Sequence, residues 1–291
     1  MPAIVCRSVE EFRRRCDDAR RDGGTLALVP TMGALHAGHC ALMKEAHNHG
    51  STVAVTIFVN PTQFAPGEDL SAYPRQLETD VAACEDEKVA LVFAPAEGEM
   101  YVEGESTRVA VAGITEGLCG ASRPEHFEGV TTIVTKLLAI AGPCTAIFGR
   151  KDYQQLKVIE RMVADLLLAV RVVGFAIVRE ADGMALSSRN RYLSADERTR
   201  ALGIARGLSA AVRSFETGER RQDVLVGLLR AELQNAGMRQ DYVSVAHPDR
   251  LTAFPEGEVL PDRALLAVAA FMGKTRLIDN VVLGEDSAPL E

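Results

Sequence analysis

The stretch with the clearest chemical potential is residues 30–39, which read Pro-Thr-Met-Gly-Ala-Leu-His-Ala-Gly-His. His36 and His39 are three residues apart, a spacing that places both on one helix face about one turn apart. The free N–H groups and the positive dipole at a helix start suit a polyphosphate. Gly33 permits a tight turn, and Gly38 leaves room for a flat ring near the backbone. The alternative is that one histidine caps the helix and the other is solvated.

The elements around this stretch place it at a strand-to-helix turn. The apolar run 25–29 predicts a short buried strand, and residues 40–48 have helical spacing that stops at Gly50. Open α/β sheets bind their ligands at such turns. Helices and strands alternate up to residue 178, which predicts a doubly wound, Rossmann-like parallel sheet. Its further strands are expected at 52–59, 89–93, 145–148 and 170–178.

The remainder of the chain predicts a second, smaller α+β domain. Two helices are expected at 194–215 and 223–235, and three strands at 241–246, 264–271 and 276–282. We therefore predict domains at 1–178 and 179–291, the second acting as a lid over the cleft of the first.

Composition excludes several classes of protein. At 291 residues, 47% hydrophobic and 25% charged, the chain is typical of a globular protein. A net charge of -8 argues against a nucleic-acid partner. The absence of long apolar runs and of an N-terminal signal core predicts no membrane span and a cytoplasmic location. The six scattered cysteines predict reduced thiols, and for Cys40 we favour packing over a nucleophilic role.

A second polar segment, residues 58–64, follows the strand predicted at 52–59. Gln63 both donates and accepts hydrogen bonds, which suits a hydroxy acid, although a polar loop residue bonding its own backbone is an equal alternative.

Two charged residues further along are also candidates. Asp80 could make one carboxylate contact to a magnesium ion held mainly by phosphates, and the alternative is a solvated helix carboxylate. Arg123 is either a phosphate contact or, slightly favoured, a surface charge at a helix start.

Two further segments combine cations with hydrogen-bonding groups. After the strand at 145–148, Lys151 suits phosphate oxygens and Asp152 suits a ribose hydroxyl or a helix cap, with Gln155 one turn further on. The polar stretch 179–193 contains Ser-Ser-Arg at 187–189, which predicts a phosphate clamp or, alternatively, a hinge loop.

Taken in order, these segments resemble the pantothenate synthetase family, which shares the HIGH motif of nucleotidyl-transferring enzymes. The resemblance implies an ATP-dependent ligase, with Mg²⁺, that joins pantoate to β-alanine through a pantoyl adenylate and releases pyrophosphate and AMP. It also implies a homodimer. Residue 186 is leucine where the family usually has methionine. The implied site residues are His39, His36, Lys151 and Arg189 for catalysis; Met32, Gly33, His36, Gly38, His39, Gly149, Lys151, Asp152, Val178, Leu186, Ser187, Ser188 and Arg189 for ATP; Gln63, Gln155 and Asn60 for pantoate or β-alanine; and Asp80 for magnesium.

Two other functions remain open at this point. One is a different adenylyl or cytidylyl transferase with the same histidine motif, against which the glutamine loops and the lack of a basic RNA-binding region count. The other is a non-catalytic nucleotide sensor that has kept the fold.

Overall fold

A computed structural model of the chain describes residues 2–65, 68, 70–255 and 257–290. The chain divides into two compact units. The first comprises Met1–Ala112, Arg123–Arg150 and Val158–Ala176, and the second comprises Gly113–Ser122, Lys151–Lys157 and Ile177–Glu291. The chain passes from the first unit to the second for the last time between residues 176 and 177, and the expected division is at 178. Two short segments from earlier in the chain, 113–122 and 151–157, also belong to the second unit.

The first unit is built on six parallel strands in the order β1-β4-β3-β2-β5-β6. The chain runs outward from β2 through β3 to β4, and then returns to the other side of β2 for β5 and β6. This is the doubly wound arrangement predicted from the sequence, and its direction reverses between β2 and β5. The strands are Ile4–Cys6 (β1), Leu26–Thr31 (β2), Thr52–Ile57 (β3), Leu91–Phe93 (β4), Cys144–Gly149 (β5) and Val170–Phe175 (β6).

Two helices of the first unit show how local residues set a helix end. Ser8 accepts a hydrogen bond from the backbone N–H of Glu11 and so starts α1. Gly142, at φ 72°, ends α6. A buried cluster that includes Val29, Val55 and Ile147 fills the interior around the sheet. The helices are Val9–Arg20 (α1), Ala37–Ala46 (α2), Leu77–Asp86 (α3), Glu97–Met100 (α4), Cys119–Ser122 (α5, in the second unit), His126–Ala141 (α6) and Tyr153–Asp165 (α7, shared by the two units).

The second unit holds a three-stranded antiparallel sheet in the order β7-β8-β9. Residues of its two longest helices and of the sheet form one large buried apolar cluster, which includes Leu208, Leu229 and Leu266. The long helix expected at 194–215 is two helices that meet at Leu202. The elements are Ala195–Ala201 (α8), Gly203–Glu216 (α9), Gln222–Asn235 (α10), Arg239–Ala246 (β7), Ala264–Met272 (β8) and Thr275–Leu283 (β9).

The cysteines are free, as the sequence predicts. Burial raises the pKa of the Cys6 thiol to about 11 and that of Cys16 to about 12. Burial also raises the pKa of Cys40, beside the histidine motif, so this thiol is not an activated nucleophile. Across the part of the chain that is described, none of the helices has the length and apolar character needed to span a bilayer.

Candidate functional site

The candidate site begins where the sheet reverses direction. Strands β2 and β5 are parallel neighbours, with Ala27 opposite Thr145 and Leu28 opposite Ala146. Their carboxyl ends, at Thr31 and Gly149, therefore lie side by side at one edge. The histidine turn follows the first strand, and the Gly149 turn follows the second. Two of the predicted phosphate-binding turns thus start at the topological switch point of the sheet, where open α/β folds bind ligands.

His36 and His39 form the cap of helix α2. The Nδ1 atom of His36 accepts a hydrogen bond from the backbone N–H of Gly38 at 3.1 Å, and Nδ1 of His39 accepts one from the backbone N–H of His36 at 3.3 Å. Their ring centroids are 4.1 Å apart. The capping part of the alternative is therefore correct for both rings, and neither histidine is left fully solvated.

The cap has a chemical consequence for the two imidazoles. A neutral ring that accepts at Nδ1 carries its proton at Nε2. Each ring therefore has a defined tautomer, in which Nδ1 is committed to the helix start and Nε2–H is the donor. Capping thus places both imidazoles at the start of α2, the positive end of its dipole, an arrangement suited to phosphate oxygens.

Asp80 holds the turn that leads to these histidines. Its side chain is only 1% exposed, and its Oδ2 and Oδ1 atoms accept the backbone N–H groups of Ala34 at 3.0 Å and Leu35 at 2.8 Å. Gly33, at φ 79°, leaves no room for a side chain, because a Cβ there would lie 2.8 Å from Asp80 Oδ2. The solvated-carboxylate alternative for Asp80 is therefore wrong.

Asp80 also bears on the expected magnesium contact. Both of its oxygens already accept hydrogen bonds, and a third, from Gln76 Nε2, reaches Oδ1 at 3.4 Å. In this arrangement the carboxylate offers little to a cation. No cluster of three or more potential metal ligands occurs among the described residues. Magnesium binding by Asp80 stays a prediction, and no step proposed below depends on it.

Asn60 follows strand β3, and its side chain is buried and hydrogen-bonded to four other residues. Its Nδ2 donates to Gln63 Oε1 at 3.0 Å and to the backbone carbonyl of Gly129 at 3.1 Å. Its Oδ1 accepts from the Tyr101 hydroxyl at 2.6 Å and from the Thr62 hydroxyl at 3.0 Å. Both donors and both lone pairs of the amide are thus in use, at 1% exposure. This geometry supports a positioning role, and direct contact with a substrate stays a prediction.

The network around Asn60 fixes the orientation of the Gln63 amide. Because the Gly129 carbonyl can only accept, the Asn60 atom that faces it must be the NH₂ group, which therefore also donates to Gln63 Oε1. The NH₂ of Gln63 then lies on the opposite side, where Nε2 is 3.2 Å from Met32 Sδ. Gln63 therefore presents a donor beside the histidine turn, which suits a carboxylate or hydroxyl oxygen.

Arg123 and His126 hold the backbone of the same loop. Arg123 Nη2 and His126 Nδ1 each lie within hydrogen-bond distance of the Gln63 carbonyl oxygen, at 3.1 and 2.9 Å. Arg123 also forms a two-point ion pair with Glu68, at 2.7 and 2.5 Å. Burial acts to raise the pKa of Glu68, but the hydrogen bonds and charge of Arg123 outweigh it, so the pKa lies below its usual value. The surface-charge alternative for Arg123 is therefore wrong, because the guanidinium is mostly buried and paired.

The turn after β5 separates two neighbouring glutamines. Gln154 is buried, and its amide accepts from the Cys119 N–H and donates to the carbonyls of Ile114 and Gly117. Gln155 is half-buried and has no side-chain hydrogen bond within the described residues. Gln154 is therefore structural, and Gln155 is the one whose amide is available to a ligand.

Gly149, Lys151 and Asp152 of this turn differ in how they are packed. A Cβ on Gly149 would meet no described atom within 4 Å, so packing does not require glycine there. Lys151 Nζ lies 3.9 Å from Asp152 Oδ2, a distance typical of a loose ion pair. Asp152 is half-exposed, and Lys151 is more deeply placed.

The Ser-Ser-Arg segment lies in a pinned loop of the second unit. The Ser187 hydroxyl caps the short 3-10 helix Ser188–Tyr192 by accepting the Arg189 N–H at 3.3 Å. The N–H of Leu186 donates to the Val178 carbonyl at 2.9 Å. Asn190 Nδ2 donates to Glu180 and to a backbone carbonyl. The segment therefore has a defined conformation, and ATP contacts from Val178 and Leu186 stay predictions.

A family model described as pantoate-beta-alanine ligase matches residues 4–282. This chain belongs to that family. A pantothenate synthetase from Myxococcus xanthus (strain DK1622) is 51% identical to it, over 98% of this chain and 97% of the relative. Another, from Geotalea uraniireducens (strain Rf4), is 49% identical over 96% of this chain and 98% of the relative. The family and the enzyme class predicted from the sequence are therefore confirmed.

Solved structures of the family share this fold. The pantothenate synthetase from Thermus thermophilus has a TM-score of 0.89 at 41% identity and covers 96% of this chain and 99% of its own. The pantoate-beta-alanine ligase from Francisella tularensis, complexed with beta-gamma ATP and beta-alanine, has a TM-score of 0.79 at 30% identity and covers 98% of this chain and 99% of its own. The predicted fold class is confirmed.

Several residues that organise the site were not found from the sequence. Tyr101 and Glu68 carry no motif, and their partners lie 41 and 55 residues away along the chain. Asp279 and Asn280 form a buried polar pair between the apolar residues 277–278 and 281–283 of β9, a signal that a search for polar residues within apolar strand segments detects.

Proposed function

We propose that this chain condenses pantoate with β-alanine at the expense of ATP, through a pantoyl adenylate. The observation that carries the proposal is the switch point of the sheet. There, β2 and β5 end side by side, so the histidine turn and the Gly149 turn begin at one edge. The Gln63 loop follows β3, the next strand. A polyphosphate donor and an acid acceptor thus have adjacent recognition groups.

In the first step, a pantoate carboxylate oxygen attacks the α-phosphorus of ATP. The bond from that phosphorus to the oxygen bridging the β-phosphate breaks, and pyrophosphate leaves. The product is a mixed anhydride of pantoate and AMP. No covalent bond to the protein forms, so the chain's task is to hold the reactants in line and to stabilise the charge that spreads over the phosphate oxygens.

The proposed phosphate donors come from three segments. His36 and His39 offer Nε2–H groups from the cap of α2, because their Nδ1 atoms are taken by the helix start. Lys151 adds a compact positive charge, and Arg189 adds a forked one with the hydroxyls of its neighbouring serines. Asp152 and the backbone of Val178 and Leu186 are proposed to hold the nucleoside.

The proposed acid pocket uses the two glutamines. The Asn60 network gives Gln63 a fixed NH₂ donor, and Gln155 has an amide without a described protein partner. Together they provide donors for the carboxylate and acceptors for the two hydroxyls of pantoate. Asn60 serves by orienting Gln63.

In the second step, the amine of β-alanine attacks the acyl carbon of the adenylate. The carbon–oxygen bond to AMP breaks, an amide bond forms, and the amine loses a proton. A family member bound to a β,γ-ATP compound and β-alanine supports both ligands for this chain. Mg²⁺, when bound with ATP, supplies further positive charge to the phosphates.

A homodimer and a cytoplasmic location remain proposals. Light scattering of the purified chain tests the homodimer.

The direct test is isotope exchange between pyrophosphate and ATP, with and without pantoate. We expect exchange when pantoate is present, with no need for β-alanine, and no exchange when pantoate is left out. Exchange that ignores pantoate but responds to another acid or a nucleotide acceptor would favour a different adenylyl or cytidylyl transferase. ATP binding with no exchange under any condition would favour a nucleotide sensor.

The role of the histidines is tested at the same time by His39→Ala. We expect at least a tenfold loss of exchange, equivalent to about 1.4 kcal/mol of transition-state stabilisation. The matched control is His47→Ala, because His47 lies at the opposite end of α2 and is exposed. Near-normal exchange by His39→Ala would remove this residue from the mechanism.

A further inference from the structure

Two adjacent residues of β9 hold two segments to which the proposed function assigns phosphate contacts. Asp279 and Asn280 are each only 4% exposed. They lie opposite Val268 and Ala267 of the neighbouring apolar strand β8. Buried polar groups are costly unless they are hydrogen-bonded, so their partners reveal what the pair does.

Asp279 holds the start of the Ser-Ser-Arg loop. Its oxygens accept two hydrogen bonds from Arg179, Nη1 at 2.7 Å and Nη2 at 3.0 Å. Nη1 of Arg179 also donates to the Gly183 carbonyl at 3.0 Å, and Arg179 pairs with Ala185 in an isolated β-bridge. The ion pair therefore fastens both arms of the loop that continues into Arg189.

Asn280 holds the Lys151 turn from the other face of the same strand. Its Nδ2 donates to the backbone carbonyl of Lys151 at 2.9 Å. Side chains of neighbouring strand residues point to opposite faces. Accordingly, Val282 shares a hydrophobic cluster with Tyr153, two residues after Lys151, whereas Val281 belongs to a different cluster. Because side chains alternate between the two faces of a strand, Asp279 contacts Arg179 on one face and Asn280 contacts Lys151 on the other.

Stability alone does not account for this pair. A buried arginine–carboxylate pair is often no more stabilising than apolar residues of the same volume. Strand β9 is otherwise rich in leucine, isoleucine and valine. An ionic and an amide side chain at its centre are better explained by the position that they impose on their partners.

We infer that Asp279 and Asn280 are positioning residues for adenylate formation, Asp279 acting through the loop that bears Arg189 and Asn280 through the backbone of Lys151. The inference rests on the proposed phosphate contacts of Lys151 and Arg189. It assigns a part in the first chemical step to a strand of the second unit, acting through the residues that the strand holds.

The test compares Asn280→Ala with wild type in two assays. One is pantoate-dependent exchange between pyrophosphate and ATP, and the other is amide formation from supplied pantoyl adenylate and β-alanine. We expect the first to lose about tenfold or more in kcat/KM for ATP, and the second to change by less than about twofold. Ser209→Ala is the control, because it removes a buried hydroxyl of the same unit that bonds Ala205 and Leu290. It should leave both assays unchanged.

A double variant separates positioning from general damage. If Asn280 acts through Lys151, adding Asn280→Ala to Lys151→Ala should lower exchange by no more than about a further twofold. Arg179→Lys, which keeps the charge but loses the two-point contact, should also lower exchange while the protein still unfolds cooperatively. It supplies the test if Asn280→Ala does not fold.

The outcomes are distinguishable from failure of the proposed function. Wild-type protein without pantoate-dependent exchange would contradict the proposed function itself. An active wild type with wild-type exchange in both Asn280→Ala and Arg179→Lys would overturn the inference alone. So would equal losses in the two assays, or a full multiplicative loss in the double variant.

Discussion

Asp80→Asn is the change that most directly tests how the histidine turn is held. The carboxylate accepts the backbone N–H of Ala34 at 3.0 Å and that of Leu35 at 2.8 Å, across 46 and 45 residues of sequence. Ala34 has a φ of 52°, an uncommon conformation for alanine, and Gly33 before it has a φ of 79°. The buried carboxylate therefore stabilises a turn that its own sequence does not favour.

The expected cost follows from the number of contacts. A hydrogen bond to a charged group contributes about 1.5–3 kcal/mol, and a buried donor left unpaired costs about 1–3 kcal/mol. Asparagine can accept at one oxygen only, so one of the two N–H groups would face an NH₂ donor. We expect the free energy of unfolding to fall by about 2–4 kcal/mol. A shift of about 1 Å at the histidine cap should lower adenylate formation about 100-fold.

Urea unfolding and pyrophosphate release measure the two effects. The matched control is Asp86→Asn, which changes an exposed aspartate at the end of the same helix, α3. If Asp80→Asn is as stable and as active as this control, the positioning argument is wrong. If excess Mg²⁺ restores its activity, Asp80 acts as a metal ligand, and that result also contradicts the argument.

Three further predictions test the surroundings of the site. Tyr101→Phe removes one of the hydroxyls that orient Asn60, so the KM for pantoate should rise about two- to tenfold in initial-rate assays, with the KM for ATP unchanged; equal rises would contradict the network. Glu68 has a pKa held below its ordinary 4.5 by Arg123, so the stability it contributes is present above pH 4.5 and is lost as the pH falls through the lower folded-state value. Acid unfolding of Glu68→Gln should therefore depend less on pH below 4.5 than that of wild type, and parallel curves would count against the pair. Burial raises the pKa of Cys16 from 9.0 to about 12, so the thiol favours folding below pH 9 and this contribution is lost as the pH rises toward 12. Urea unfolding at pH 8 and pH 10 should show a smaller pH effect in Cys16→Ala, and an unchanged effect would refute this cause.

The regular elements were largely predictable because their signals are local. The β-branched run that forms Thr52–Ile57 and the capping serine before Val9–Arg20 each specify an element from neighbouring residues. Strand β1 was missed because it has three residues and depends on pairing with β4. The break at Leu202 was missed because its cause is tertiary. A Cβ on Gly203 would lie 2.7 Å from the Ala236 Cβ, so α9 packs closely against the end of α10.

The sequence predicted the motif residues of the candidate site, but it did not predict the residues that hold those motifs in place. The residues proposed to face a ligand sit in short segments with recognisable spacing, as His36 and His39 do. The residues that position them lie far away in the sequence. Tyr101 is 41 residues from Asn60, and Asn280 is 129 residues from Lys151. No local pattern connects such pairs, because the fold alone brings them together.

Asn60 shows how the structure changes the role expected for a residue. Its neighbours in the motif led to a predicted pantoate contact. Its four hydrogen bonds to Gln63, Gly129, Thr62 and Tyr101 support a role in orienting the Gln63 amide, while a direct substrate contact stays a prediction. An amide side chain in a loop gives no sequence signal that separates these two roles, because only burial and partners do so.

In the proposed mechanism, the acid attacks the α-phosphorus of ATP and not its γ-phosphorus. The measurement is turnover of pantoate labelled with ¹⁸O in its carboxylate, followed by mass spectrometry of the products. The proposed route leaves the attacking oxygen on the α-phosphorus when β-alanine displaces AMP, so one labelled oxygen should appear in AMP and none in pyrophosphate. Label in inorganic phosphate, with ADP as the other product, would contradict the adenylate mechanism.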